Sequence, residues 1–210
     1  MPSDGSATRR KLVDEAARAF AEHGVYSASL IDITRKARQR NRGALYYHFG
    51  SRTGVLCAVL ERHADFLARR EGELLELARQ TPDDDVKAVV EAIVRPATEL
   101  AESGWRGRSY CVILAELVED DPAGLDPAVR NALARTGGYA VYALLESRMA
   151  DVRAEVRVER LSLATGFILR AVADRARVIG RGRRGRAQLD HEAFVENLVA
   201  MVAAGLSAPL

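Results

Sequence analysis

Cysteine, proline and tryptophan are scarce in this chain of 210 residues, at two, six and one. The two thiols, Cys57 and Cys111, stand far apart and lack the paired spacing of a metal site, so two reduced cysteines are expected rather than a disulfide. Few prolines, together with plentiful Ala, Leu, Arg and Glu, favour helix throughout. No run of eighteen apolar residues occurs, so no transmembrane span and no membrane partner are expected. The opening Met-Pro-Ser-Asp-Gly-Ser is polar and lacks the apolar stretch of a signal peptide, which points to a cytoplasmic protein. The four histidines, His23, His48, His63 and His191, are scattered. No metal-ligand spacing, no glycine-rich phosphate loop after a strand and no Gly-x-Ser-x-Gly motif is present. Carboxylates are common but lie in solvated helical runs such as Asp83-Asp84-Asp85. These absences argue against an enzyme, and no catalytic residue, metal or cofactor is expected.

What the chain does have is an uneven charge. The net charge is +2, yet residues 1–60 carry ten Lys/Arg against five Asp/Glu, and the rest carries twenty-one against twenty-four. Between Thr34 and Gly54 there are six basic residues and no acidic one. Such a local basic patch suggests a polyanionic partner met by one end only, although a solvated basic face would look the same by charge alone.

Helical periodicity runs along the whole chain and no strand pattern competes. A first helix is predicted over residues 7–23, with Leu12, Val13, Ala16, Ala17 and Phe20 on one stripe and Gly24 as its stop. Ser29 opens a second helix through a capping-box-like Ser-Leu-Ile-Asp. Asn41 is the expected N-cap of a third, ending at Gly50. A long fourth helix is predicted over 52–79, with Ser51 as its cap. A fifth follows over 84–102, kinked or restarted at Pro96. A sixth spans 108–119 and stops at Asp120-Asp121-Pro122. A seventh opens at Asp126-Pro127 and reaches Ala150, with Gly137-Gly138 as a bend. An eighth spans 155–179, a basic Gly180–Arg186 loop follows, and Asp190 caps a ninth that ends near Gly205. The expected fold is all-α: a three-helix N-terminal helix-turn-helix bundle at 1–50, then a larger helical ligand-binding and dimerisation domain at 51–210, about nine helices in all.

Helices two and three fit a helix-turn-helix, in which the N-terminal half of the second helix enters the major groove. That half offers Arg42, which can reach a guanine edge or a phosphate, and Gly43 and Ala44, whose small size lets the backbone approach the bases. Tyr46, Tyr47 and His48 can donate to phosphate oxygens. One of the two tyrosines is expected to pack in the bundle instead, because adjacent helical residues point apart. Arg38 and Arg40 flank the recognition helix. Ser29, Asn41, Ser51 and Arg52 complete the candidate surface, the last two at a helix start whose free amides favour a phosphate.

These residues also carry a resemblance. Phe20-Ala21-Glu22-His23-Gly24, then Ser29-Leu30-Ile31-Asp32-Ile33, then Gly43-Ala44-Leu45-Tyr46-Tyr47-His48-Phe49, then Ser51-Arg52 follow, in order and at near-correct spacing, the N-terminal pattern of TetR-type transcriptional regulators. Residues 7–60 resemble that family. The rest matches only in helical layout. The resemblance implies binding of double-stranded DNA at a palindromic operator by a homodimer, with release by an unidentified small-molecule effector. The turn departs from the family's Ala-Gly-Val-Ser/Thr: here it reads Ala37-Arg38-Gln39-Arg40-Asn41, one residue longer and without the glycine. Thr53-Gly54 replaces the usual Glu-Ala and weakens the start of the fourth helix.

The C-terminal helices bear on association. From Ala193 to Leu206 only Glu196 and Asn197 are polar, so this helix must be buried on two sides. Small residues on the eighth helix, Ala164, Gly166, Ala171 and Ala173, permit close approach. Leu161, Ala164, Ile168, Phe194, Leu198, Met201 and Val202 are the expected dimer contacts in a four-helix interface. Burial within one subunit is the competing explanation. Phe66, Trp105, Tyr110, Cys111, Tyr139, Tyr142 and Phe167 are candidate walls of an apolar ligand pocket, although residues of these types sit in plain core more often than on ligand walls. A rival reading is a helical adaptor whose basic end meets an acidic protein or a membrane surface. It accounts for the charge asymmetry but not for the capped helix-turn-helix spacing.

Overall fold

A computed structural model describes residues 4–41, 43–119, 124–182 and 188–209. Among the described residues the chain is all-α, with eleven helices and no strand. Arg42, the Asp120-Asp121-Pro122 stop and residues 183–187 of the basic loop lie outside them.

The N-terminal bundle follows the expected logic. Helix α1 (Asp4–His23) buries Leu12, Val13, Ala16, Ala17 and Phe20. Gly24 ends it at φ +87°. Ser29 caps α2 (Leu30–Lys36), its Oγ accepting the Asp32 N–H at 3.2 Å. Helix α2 closes with Arg38 in the left-handed region at φ +58°, the one non-glycine residue among those described with positive φ. Its N–H reaches Arg35 O and the Gln39 N–H reaches Thr34 O. This is the hydrogen-bond pattern of a Schellman cap, in which glycine normally holds the left-handed position. Arginine there costs roughly 1–2 kcal/mol of backbone strain. The turn that lacks a glycine therefore keeps the glycine's conformation.

Helix α3 (Ala44–Phe49) is only six residues long. Asn41 is not its N-cap. That position is Gly43, and the Asn41 Oδ1 instead accepts the Gly43 N–H at 2.8 Å, an Asx turn that leads into the helix. Helix α4 (Arg52–Glu61) is capped by Ser51, whose Oγ accepts the Gly54 N–H at 3.0 Å. Gly54 is required by close approach, since a Cβ there would stand 1.9 Å from the Phe49 carbonyl oxygen.

Two predicted helices divide. The one expected over 52–79 breaks at Arg62 and His63, giving α4 and α5 (Ala64–Arg79). No glycine or proline marks the break. There Arg62 turns to Asp14 on α1, and the His63 ring packs edge-on against Tyr110 at 5.3 Å, contacts remote in sequence. The helix expected over 126–150 divides at Gly137 (φ +95°) into α8 (Pro127–Ala134) and α9 (Gly138–Ser147). Conversely, α6 (Val86–Glu102) is one helix with Pro96 inside it, so of the kink or restart expected there the restart does not occur. Pro96 is buried, and α6 packs on α5, α7, α9, α10 and α11. That packing outweighs a proline penalty of about 3 kcal/mol. Helix α7 (Trp105–Glu119) begins three residues before its predicted start, and α10 (Ala154–Gly180) and α11 (His191–Leu206) complete the fold. One continuous core runs from Val13 to Leu206, crossing the expected 50/51 boundary, and α7 touches α1 on one side and α10 on another.

Candidate nucleic-acid interface and ligand cavity

The last turn of α2, the turn after it and α3 present one cationic and aromatic surface. Arg35, Lys36, Arg38 and Arg40 are exposed. Tyr46 is 57% and Tyr47 84% exposed, so neither packs in the bundle as one of them was expected to. His48 stands edge-on to Tyr47, with ring centroids 5.1 Å apart. The nearest acidic neighbour in sequence, Asp32, pairs with Arg35 at 2.7 Å.

Several expected members of this surface are engaged elsewhere. Ala44 is buried with Leu12 and Ala37, because it sits on the face of α3 that anchors the helix. Arg52 donates to the Val25 carbonyl at 2.8 Å, tying the start of α4 to the α1–α2 connector. The hydroxyls of Ser29 and Ser51 accept cap hydrogen bonds. Sequence reading missed Lys36 and also Arg9, whose guanidinium lies 5.0 Å from the centroid of the Phe49 ring. The basic triplet Arg9-Arg10-Lys11 was the available signal.

Helix α7 grips this head from below. The Glu116 Oε1 accepts the Val25 N–H at 2.7 Å. Asp14 on α1 accepts two hydrogen bonds from Arg106, both at 2.8 Å, and pairs with Arg62. The Arg106 hydrogen bonds, joined by those of Arg62, overcome burial and lower the Asp14 carboxyl to about 2. Trp105, a candidate pocket residue, lies instead between the guanidiniums of Arg18 and Arg106, at 3.9 and 4.6 Å.

The opposite face of α7 lines a cavity of about 250 Å³ bounded also by α5, α6, α8, α9 and α10. Tyr110, Cys111, Tyr139 and Tyr142 are on its wall, whereas Phe66, Trp105 and Phe167 are not. Phe66 lies under Arg69, and Phe167 points outward from α10, 43% exposed. Most of the wall is apolar, including Leu67, Ile93, Leu114, Ile168, Leu169 and Val172. Tyr142 and Thr165 share a hydrogen bond at 2.8 Å. Tyr139 both lines the cavity and is 65% exposed, which marks where the cavity meets the surface. Burial pushes the Cys111 thiol up to about 12 and raises the Tyr110 and Tyr142 hydroxyls. The wall holds one charged residue, Glu71, whose Oε2 is buried without a hydrogen-bond partner. Burial pushes its carboxyl up to about 8. Sequence reading missed Glu71, although it falls four residues after Leu67 and four before Leu75, on the buried face of α5.

Helices α10 and α11 run antiparallel. Arg160 reaches the Leu206 carbonyl at 2.9 Å, and Arg175 lies over the Phe194 ring at 4.5 Å. Ile168, Leu198 and Val202, expected at a dimer interface, are buried inside the subunit and have no surface to offer. The reason is that α11 spends one stripe on α6 and α10 of its own chain. Leu161, Ala164 and Phe194 are half-buried, and Ala173 is fully buried. Leu163 and Phe167, four apart on one face of α10, are exposed, as is Met201 on α11.

Comparison with known proteins adds the following. Residues 12–59 match the family model for bacterial regulatory proteins of the tetR family, and residues 91–205 match that for the tetracyclin repressor-like C-terminal domain. The HTH-type transcriptional regulator SrpR of Pseudomonas putida is 41% identical over 58 residues, 28% of this chain and 27% of SrpR, so the chain matches about a quarter of that relative's length. The solved structure of the probable transcriptional regulatory protein RHA5900 superposes with a TM-score of 0.58 at 23% identity, covering 96% of this chain and 100% of its own. That of AibR, in complex with isovaleryl coenzyme A and operator DNA, gives 0.56 at 17% identity, covering 92% and 97%. At these identities the likeness is one of fold.

Proposed function

The chain belongs to the TetR family of bacterial regulatory proteins, and we propose that it is a homodimeric DNA-binding transcriptional regulator, a repressor released from a palindromic operator by a small-molecule effector. Residues 1–50 act as the reading head and 51–210 as the effector and dimer domain, in the cytoplasm. Among the described residues, no helix is long and apolar enough to cross a membrane.

One observation carries this reading. A surface of exposed Arg, Lys and Tyr side chains, with no carboxylate from Thr34 to Gly54, stands on a head whose connector is held by the same helix that walls the cavity. The side chains supply phosphate contacts. Helix α7 supplies the link by which an occupied cavity repositions the head, to the extent that the effector binds one position better than the other. The exposed apolar face of α10 at Leu163 and Phe167, with Met201 exposed on α11, supports a second copy as its partner. A dimer offers two heads, for half-sites about 34–36 Å apart or a multiple of this.

Selection of bound sequences from a random duplex pool tests the reading. A palindromic consensus is expected, with affinity falling steeply as salt rises. Weak, sequence-blind binding, or a monomer by light scattering at micromolar concentration, would overturn it.

A further inference from the structure

The cavity behind α7 has a chemical character of its own. Its volume of about 250 Å³ compares with the roughly 150 Å³ that holds one benzene, so it suits an organic body of roughly ten non-hydrogen atoms. Its wall is apolar and aromatic apart from a few polar groups, and among the lining residues there is no Lys, Arg, His or Asp. Glu71 is the one acidic residue among them. Its Oε2 is buried and unpartnered, a condition that costs free energy until a donor arrives. The start of α9 passes close by, since a Cβ at Gly137 or Gly138 would stand 3.5 or 3.7 Å from that oxygen, yet no N–H of α9 satisfies it.

We infer that this cavity takes a small cationic amphiphile, an apolar body bearing an amine whose ammonium group pairs with Glu71. The inference rests on the reading of the cavity as the effector site and names the ligand class that reading leaves open. An anion would find no cation on the wall to receive it and would oppose ionisation of the Glu71 carboxyl. A neutral hydrocarbon would fill the space but leave Oε2 unpaired. An ammonium group donates the missing hydrogen bond, and the rings of Tyr110, Tyr139 and Tyr142 on the same wall are the kind of surface that attracts a cation.

The groups that face Glu71 are few. Tyr110 and Cys111 come from α7 and Tyr139 and Tyr142 from α9, and those whose titration is shifted are all raised by burial. Glu71 is therefore the group that titrates near neutrality. A cation binds the ionised carboxylate, so below about pH 8 its binding must expel a proton and its affinity rises with pH. A neutral ligand does not require that step.

Calorimetric titration with three probes of one shape tests this: 4-phenylbutylamine, 4-phenylbutanol and 4-phenylbutyrate. The amine is expected to bind at least tenfold more tightly than the alcohol at pH 8, with the carboxylate weakest. Amine affinity is expected to climb by roughly 50-fold from pH 6 to pH 8, following ionisation of a carboxyl at about 8, while alcohol affinity stays flat. Glu71→Gln, checked by its thermal melt, is expected to lose the amine preference and the pH dependence and to keep alcohol binding. If the alcohol binds but the amine has no advantage, or if Glu71→Gln leaves the amine's affinity unchanged, the cationic class is wrong and the cavity reading stands. If none of the three binds, both fall.

Discussion

The two ends of the molecule treat polar groups in opposite ways. At the reading head, Arg35, Lys36, Arg40, Tyr46 and Tyr47 stand in water, while α3 buries little besides Ala44 and Leu45. At the cavity the polar groups are few and enclosed, and one of them, Glu71, is enclosed without a partner. The head holds its charges outward, as the proposed contact with a large polyanion requires. The cavity holds a single ionisable carboxyl inward, which burial keeps protonated up to about pH 8 and which low dielectric would couple strongly to a cation. Helix α7 joins the two, through Glu116 and Arg106 on one face and Tyr110 and Cys111 on another.

The comparison breaks most visibly at Gly54. Gly54→Ala drives a methyl into the Phe49 carbonyl oxygen, 1.9 Å away, and forces α3 off α4. A loss of about 3 kcal/mol is expected by chemical denaturation, at the upper end for an overpacked contact, together with loss of operator binding. An unchanged midpoint would mean that the junction yields freely.

Glu71→Gln sharpens the other end. The folded carboxyl, raised to about 8, exceeds its ordinary value near 4.5, so wild-type stability is full below about pH 4.5 and falls as pH rises through about 8. The ligand-free variant is expected to be more stable than wild type at pH 8.5, by an amount on the order of 2 kcal/mol, and equal to it near pH 5. Thermal melts across that range check it.

Asp14 tests the link between the ends. Its folded carboxyl lies near 2, below its ordinary 3.8, so its contribution is present above about pH 4 and is lost as pH falls towards 2. Asp14→Asn is expected to destabilise by at most about 1 kcal/mol at pH 7, because water reaches the Arg106 side of the cluster. The difference from wild type should vanish near pH 2, and should separate from any change in how strongly the effector lowers DNA affinity.

Arg38→Gly relieves left-handed strain of roughly 1–2 kcal/mol but adds about 0.5–1 kcal/mol of unfolded-state entropy, for a net gain of about 0.5 kcal/mol. If the arginine was retained for DNA, operator affinity falls while stability rises, and the slope of log affinity against log salt drops by about one. The smallest expected change in stability is for the exposed Tyr47→Phe, within about 0.5 kcal/mol. It should weaken binding to every duplex alike, which a comparison of operator with scrambled DNA reads directly.

Much of the fold was legible locally. The stripe on α1, the caps at Ser29, Ser51, Asp126 and Asp190, and the glycine stops are short-range features, so they could be read from spacing alone. The break at His63 was not legible, because distant partners, Asp14 and Tyr110, set it. The candidate sites divided the same way. Arg38, Arg40, Tyr46 and Tyr47 belong to one short segment and were found together. Phe66, Trp105 and Phe167 are aromatic like the true lining residues, and only packing assigns them to an ion-flanked clamp or to the outer surface. Glu71 has no local signal beyond its place between Leu67 and Leu75 on α5.

By itself the sequence determined that the chain is helical, where most helices start and stop, and which end carries the basic surface. Each follows from propensity, capping and charge acting within a few residues. Tertiary structure alone decided which faces became cavity, clamp or outer surface, and that one glutamate lies inside. Those outcomes depend on which helices meet, and burial turns an ordinary carboxyl into the one group of the cavity that waits for a partner.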